Sequence, residues 1–426
     1  MRGRRRARSD APYLHGEEAR EAGITRHPTT ERLPKSSCFG ARACLSNSML
    51  LTTPSTTTAN PAERILLGAG PSPVPQRVLR ALASPTLGHL DPQYLAILDE
   101  TCEMLRQVFR TKNPLTFPLS STGMAGMECL ASNLIEPGDE AVVCVNGFFG
   151  ARMKEVMERC GATVHAVEVP WGDIFTLGAI AAAFDQHPRA KLLGIVHAET
   201  STGAHQPLAG LGDLVHARGA LLMVDTVTSL GGHELRVDEW GIDACYSCSQ
   251  KGLGCPPGLS PVTFSERALA RVNARKTKPQ SWYFDANLLR KYYLGEKGVR
   301  SYHHTAPSNM TYALREALVM VLEEGLDQRV ARHQQMHLRL RKGLEAMGLT
   351  YVPKHSLYTL NCVHVPAGVD DAGVRRRLLQ EYGIEISGGL GPLAGKTWRI
   401  GLMGNGPSVR NVALFLTALR QILEKS

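Results

Sequence analysis

From residue 61 onward, short apolar runs alternate with longer segments whose apolar positions recur every three or four residues. Residues 94–109 carry such a helical stripe. Residues 115–119 read as a strand that runs through a small-residue turn into a helix ending at Leu134. The runs 141–145, 163–169, 191–197 and 220–224 are strand-like, with helical patterns over 154–160 and 211–218. Strands this apolar are expected to be covered on both faces, and their alternation with helices predicts a mostly parallel sheet between helical layers. A long helical stretch over 315–344 spans the expected domain junction. Beyond it, 358–365, 373–381, 385–387 and 397–402 read strand, helix, strand, strand, and a last helix covers 409–424. The expected organisation is a disordered extension over 1–60, a large α/β domain over 61–324 and a small α+β domain over 325–426, without internal repeats.

In parallel sheets of this kind, ligands sit beyond the carboxyl ends of the strands. Four such ends carry unusual residues. Ser120-Ser-Thr-Gly-Met-Ala-Gly-Met127 opens a helix with hydroxyls and glycine, a pattern suited to an anion. Asn146-Gly-Phe-Phe-Gly150 offers Phe149 for stacking on a flat ring. His197-Ala-Glu-Thr-Ser-Thr-Gly203 presents a row of small hydroxyls, Thr200 among them. Asp225 closes the buried run 220–224, where an ionised carboxylate needs a strong partner. Taken singly, each also fits a structural role: an N-cap, a core phenylalanine, a polar turn, a local ion pair. Lys251 changes that balance. It lies in Tyr246-Ser-Cys-Ser-Gln-Lys251-Gly-Leu-Gly-Cys-Pro-Pro-Gly258, a setting poorly suited to a solvated charge. A lysine for a Schiff base and an aspartate for a pyridinium nitrogen point together to a pyridoxal phosphate (PLP) enzyme. Arg399, on a strand-like run, suits a two-pronged grip on a substrate carboxylate.

Composition narrows the field. Of 426 residues, 43% are hydrophobic, enough for a large core, and no run is long enough to span a membrane. The net charge of +9 is uneven: residues 1–48 hold ten Arg or Lys against five Asp or Glu, leaving the body only +4. No basic stripe for nucleic acid is visible there. The tail opens with Arg-Arg-Arg-Ala-Arg, but Asp10, Glu17, Glu18 and Glu21 are atypical of a transit peptide, and Met49 is an alternative start. Ten scattered cysteines without a secretory signal suggest a reducing, cytoplasmic setting. Cys245, Cys248 and Cys255 lack the spacing of a zinc site, so no metal is expected. Gly388-Gly-Leu-Gly-Pro-Leu-Ala-Gly-Lys396-Thr397 resembles a P-loop, but Leu390 stands where glycine is required and a strand pattern follows.

From about residue 64 the chain closely resembles the class V aminotransferases of PLP fold type I, in the alanine–glyoxylate, serine–pyruvate and serine–glyoxylate branch. The resemblance rests on Gly68-Ala-Gly-Pro-Ser72, Asn146-Gly, Glu199-Thr-Ser-Thr-Gly203, Val224-Asp225, Ser229-Leu-Gly-Gly232, Tyr246-Ser-Cys-Ser-Gln-Lys251, Tyr302-His-His-Thr305 and Arg399-Ile-Gly-Leu402. It implies a seven-stranded, mostly parallel sheet and a smaller C-terminal domain. It also implies Lys251 as the Schiff-base lysine, Asp225 at the pyridine nitrogen and Thr200 near the phenolic oxygen. Gln250, Thr122, Gly123 and Met124 would serve the phosphate, Phe149 would stack on the ring, and Arg399 and Gly68 would bind substrate. Tyr302 and Thr305 would reach the neighbouring subunit's cofactor, so a homodimer is implied. In two places the chain departs from the animal enzymes: Phe149 replaces Trp and Met124 replaces His.

The implied reaction is ping-pong transamination of alanine or serine with glyoxylate or pyruvate, through an internal aldimine on Lys251. Other transaminases of the class, acting on aminoethylphosphonate or hydroxykynurenine, remain open because side-chain pockets are invisible in sequence. A cysteine desulfurase would need a nucleophilic cysteine on a mobile loop, and Cys362 lies in a strand pattern instead. A catalytically silent PLP-binding protein is the non-enzyme alternative.

Overall fold

The computed structural model describes residues 60–296 and 299–424. The tail expected to be disordered, together with Met49, lies outside them. Seven strands form the central sheet: β1 (Leu115–Leu119), β2 (Glu140–Val145), β3 (Thr163–Glu168), β4 (Ala190–Val196), β5 (Leu221–Asp225), β6 (Ala244–Tyr246) and β7 (Ser260–Phe264). Their spatial order is β1-β7-β6-β5-β4-β2-β3. All pairings are parallel except those of β7, which runs antiparallel to both β1 and β6. The carboxyl ends of the other six strands therefore emerge at one edge, as the sequence pattern predicts. The strand β7 was not anticipated.

Successive side chains of β2 enter different cores. Ala141, Val143 and Val145 pack on one side of the sheet. Val142 and Cys144 pack on the other. This period-two division explains why the strand is apolar at every position from Ala141 to Val145 yet belongs to a sheet. Helix α1 (Pro92–Phe109) starts where the Asp91 carboxylate accepts from Gln93 N and Pro92 fits the first turn, and it stops at Arg110 in the left-handed region. Helices α2 (Gly123–Leu134) and α3 (Phe148–Arg159) follow β1 and β2 directly. Their amino termini thus sit at the carboxyl edge of the sheet.

The long helical stretch over 315–344 is two helices rather than one. Helix α4 (Ser308–Glu324) ends and α5 (Leu326–Glu345) begins at Gly325, whose φ of +82° is not helical. A second, three-stranded antiparallel sheet holds β8 (Leu360–His364), β9 (Ser387–Gly388) and β10 (Thr397–Gly401), with β10 in the middle. The expected strand at 385–387 divides in two. Ile384–Glu385 pairs with Ile65–Leu66, and Ser387–Gly388 pairs with β10. Only the choice of partners separates these segments, which local periodicity does not encode. Trp398, Ile400 and Phe415 centre the core of this region.

Arg329 joins α5 to the sheet edge. Its buried guanidinium donates to Gly231 O at 2.9 Å and Gly252 O at 2.7 Å, and pairs with Glu324 at 2.5 Å. These carbonyls belong to the loops that follow Asp225 and Lys251. Arg329→Met leaves two buried carbonyls without donors and should lower stability by about 2–4 kcal/mol. Urea unfolding should show a lower midpoint at unchanged m; an unaltered midpoint would refute the stapling role.

Candidate active site

Eight residues singled out from the sequence line one cavity of about 200 Å³: Thr122, Gly123, Met124, Phe149, Thr200, Asp225, Gln250 and Lys251. Val227, Tyr246 and Cys248 complete its lining and were missed. Only the pairing of the strands brings Tyr246 to the site. It ends β6 in register with Asp225 on β5, so the two side chains are neighbours across parallel strands.

Asp225 is 3% exposed, and no Lys or Arg forms an ion pair with it among the described residues. Burial pushes its carboxyl up to about 7, and the charge of Glu199 adds to the rise. Two donors oppose this: Tyr246 Oη at 2.5 Å from Oδ2, and Val227 N at 2.8 Å from Oδ1. Lys251 is also displaced. Burial lowers its amine below the usual lysine value, and the Arg399 guanidinium adds to the fall, while Cys248 and Asp225 oppose it. Its Nζ donates to Ala69 O. One cavity thus holds an acid and an amine that feel each other's charge but form no ion pair.

The first turn of α2 opens on the same space. Thr122 precedes the helix in an extended conformation, and its hydroxyl caps none of the helix N–H groups. The reading of this turn as only an N-cap is therefore not supported. Gln250 Oε1 is buried without a hydrogen-bond partner among the described residues. Thr200 Oγ1 meets Thr228 Oγ1 at 2.5 Å. Phe149 is only half-buried, with its ring on the cavity rather than sealed in the core.

Glu199, to which the sequence reading gave no role, organises this wall. Its fully buried carboxylate accepts from Phe149 N and Gly150 N, both at 3.1 Å. It also accepts from Ser201 N at 3.0 Å and Ser201 Oγ at 2.6 Å. A negative group thereby holds the amino terminus of α3 and the 199–203 turn together. Gly147 is required here, since a Cβ at that position would overlap the Glu199 carboxylate carbon.

Arg399 and Gly68 stand beside the cavity rather than in its lining. Arg399 projects from β10 and donates to Gly388 O at 2.8 Å and Thr200 O at 3.3 Å. No carboxylate pairs with it among the described residues, and burial lowers its pKa. Gly68 packs against Ser387 and Gly401, one residue before the carbonyl that receives Lys251 Nζ. Tyr302 and Thr305 do not reach this chain's cavity. Tyr302 is 62% exposed, with its ring 5.2 Å from His89, and Thr305 faces outward beside Gly88 and His89.

The other sequence candidates fall elsewhere. Cys245 and Cys255 lie in the core. The segment 388–397 leads into β10, not a helix. Cys362 is fully buried within β8, with its thiol raised to about 11 by burial, which is unsuited to a nucleophile. Glu140, His165 and His187 bring one possible metal ligand each to within 4.8 Å on the far edge of the sheet. Glu140 is taken by Arg189, and the two imidazoles stack 3.5 Å apart at 6°, so their lone pairs run side by side rather than converging.

The fold and this pocket define an enzyme built to hold an aromatic, phosphorylated cofactor on a lysine. The buried acid and amine, which form no ion pair with each other, and the uncapped helix fit pyridoxal phosphate. Residues 64–399 match the family described as Aminotransferase class-V. The chain is 42% identical to an alanine–glyoxylate aminotransferase of Drosophila melanogaster over 85% of its length and 93% of the relative's. It is 39% identical to an (S)-ureidoglycine–glyoxylate transaminase of Bacillus subtilis, over 84% of this chain and 90% of that one. A crystal structure of an alanine–glyoxylate aminotransferase from Nostoc sp. superposes with a TM-score of 0.83 at 48% identity, covering 86% of this chain and 98% of that one. The protein belongs to the class V aminotransferase family and is a PLP-dependent transaminase.

The Asp225 shift has a sign that can be checked in the cofactor-free protein. Its folded pKa, near 7, lies above an unfolded value near 4. Between these values the folded state binds the extra proton, so stability falls as pH rises through that window and levels off above it. Asp225→Asn should remove this slope. Equal slopes from pH 4 to 8 in the two cofactor-free proteins would refute the assignment.

Proposed function

We propose that this transaminase moves an amino group from alanine or serine to glyoxylate, with pyruvate as the second acceptor, by a ping-pong reaction centred on Lys251. The observation that carries the reading is a buried Lys251 amine of lowered basicity and a buried Asp225 that forms no ion pair, together in one small cavity. Glyoxylate recurs in the names of the relatives, whereas the donor differs among them.

Pyridoxal phosphate, bound through the lysine, supplies an electron sink that lets the substrate's α-proton leave. Lys251 Nζ serves as general base, its proton affinity lowered by burial and by the Arg399 charge. Asp225 accepts from the ring nitrogen and favours its protonated form. Thr122, Gly123, Met124 and Gln250 hold the phosphate through the free N–H groups at the open turn of α2 and the side-chain N–H of Gln250. Phe149 stacks on the ring, and Thr200 serves the phenolic oxygen. Arg399 Nη2, which has no partner among the described residues, takes the substrate carboxylate beside Gly68.

Lys251→Ala should lose both turnover and the visible absorbance of the lysine-bound cofactor; a variant keeping either would refute its role. Asp225→Asn should retain some cofactor yet lose most of the rate. Arg399→Ala should cut kcat/KM for alanine and glyoxylate by about 10–100-fold, mainly through KM. A panel of amino donors and keto acceptors tests the substrates directly, and failure of alanine and serine with glyoxylate would overturn the assignment.

The homodimer belongs to the same proposal. Leu90, Trp282, Val299 and Tyr302 are large apolar side chains that are 46%, 62%, 69% and 62% exposed. Burial of these groups in a second copy would bring Tyr302 and Thr305 to the partner's phosphate. Sedimentation should report a dimer, and Tyr302→Ala should weaken cofactor binding. A fully active monomer would exclude the shared site.

A further inference from the structure

We propose that Tyr246 is a positioning residue for the cofactor: its phenol holds Asp225 as a proton acceptor, so that the proton between the two groups stays on the pyridine nitrogen. The inference rests on the reading of Asp225 as the partner of that nitrogen.

The geometry comes from the sheet. Asp225 and Tyr246 are register partners at the ends of adjacent parallel strands, and both line the cavity. Tyr246 Oη lies 2.5 Å from Oδ2, and Val227 N lies 2.8 Å from Oδ1. The phenol is 1% exposed, and burial beside Asp225 raises its pKa well above the usual tyrosine value, so it stays protonated and donates. Space for the ring is reserved by Gly126, where a Cβ would stand 3.0 Å from Tyr246 Cβ. Tyr246 Oη makes no other hydrogen bond among the described residues.

The chemistry turns on competition for one proton. A carboxylate buried with no Lys or Arg partner is more basic than an exposed one. Glu199, also buried, raises that basicity further. A sufficiently basic carboxylate would take the proton from the ring nitrogen, leave the ring neutral and weaken it as an electron sink. Donation to the charged form favours that form. The Tyr246 and Val227 donors therefore lower the proton affinity of Asp225 and leave its remaining lone pairs to accept from the ring. The backbone donor at Val227 belongs to the turn itself, so Tyr246 is the side chain through which this balance can be altered.

The test uses the holoenzyme loaded with ¹⁵N-labelled pyridoxal phosphate. In the wild type, the ring nitrogen should resonate in the protonated range. Tyr246→Phe strips one oxygen and keeps the ring that fills the space. It should move the ¹⁵N resonance toward neutral pyridine and raise the Kd for pyridoxal phosphate about tenfold. In an Asp225→Asn background, the same substitution should change Kd little, because the carboxylate whose proton affinity the phenol lowers is gone. An unchanged ¹⁵N resonance in Tyr246→Phe, or an equal loss of affinity in both backgrounds, would overturn the proposal and leave Tyr246 a packing residue. A wild-type protein that shows no lysine-bound cofactor absorbance would instead overturn the parent reading, and this inference with it.

Discussion

The structure is organised around a carboxylate that its surroundings do not neutralise. Asp225 ends a strand buried on both faces, without a Lys or Arg ion-pair partner among the described residues. Isolating a negative charge in this way is costly. Tyr246 and Val227 limit that cost by donating, while the like charge of Glu199 adds to it. What remains is an acceptor aimed into a cavity that also holds an amine with depressed basicity. In the function proposed here, a cationic ring nitrogen is the partner that would resolve this arrangement, turning what is unfavourable in the empty protein into binding energy for the cofactor.

Two further buried charges set the shape of the site without entering the chemistry. Glu199 gathers four donors from the start of α3 and the 199–203 turn, which holds the segments carrying Phe149 and Thr200 side by side in the cavity lining. Arg329 gathers carbonyls from the loops behind Asp225 and Lys251 and ties both to α5. The two charges work in the same way: one ionised group satisfies backbone groups of two segments far apart in the chain, so these segments cannot drift independently. The second sheet contributes through β10, whose Arg399 reaches the backbone of Thr200.

Much of this was legible in the sequence because the signals were local. Apolar runs such as 141–145 and 220–224 are strands by composition, and the rule that ligands lie beyond strand ends picked out the turns around Thr122, Phe149, Thr200 and Asp225. Lys251 was informative because a lysine amid glycine and proline is hard to explain otherwise. The missed elements share another character. Gly325 divides one continuous helical pattern through a single backbone angle. Ile384–Glu385 and Ser387–Gly388 differ only in the strands they join. Strand β7 reverses direction in the sheet, and nothing in its own residues records that.

By itself, then, the sequence determined the class of fold, the lysine and the aspartate, because periodicity and unusual residues in apolar surroundings are properties of neighbouring positions. The tertiary structure alone decided which groups meet. Tyr246 faces Asp225 because β5 and β6 are adjacent and in register. Glu199 sits under Phe149 because two loops converge at one edge of the sheet. Tyr302 and Thr305 point away from this chain's cavity because the segment that carries them turns outward. Pairings of this kind depend on distances between residues remote in sequence, and only the packed chain sets those distances.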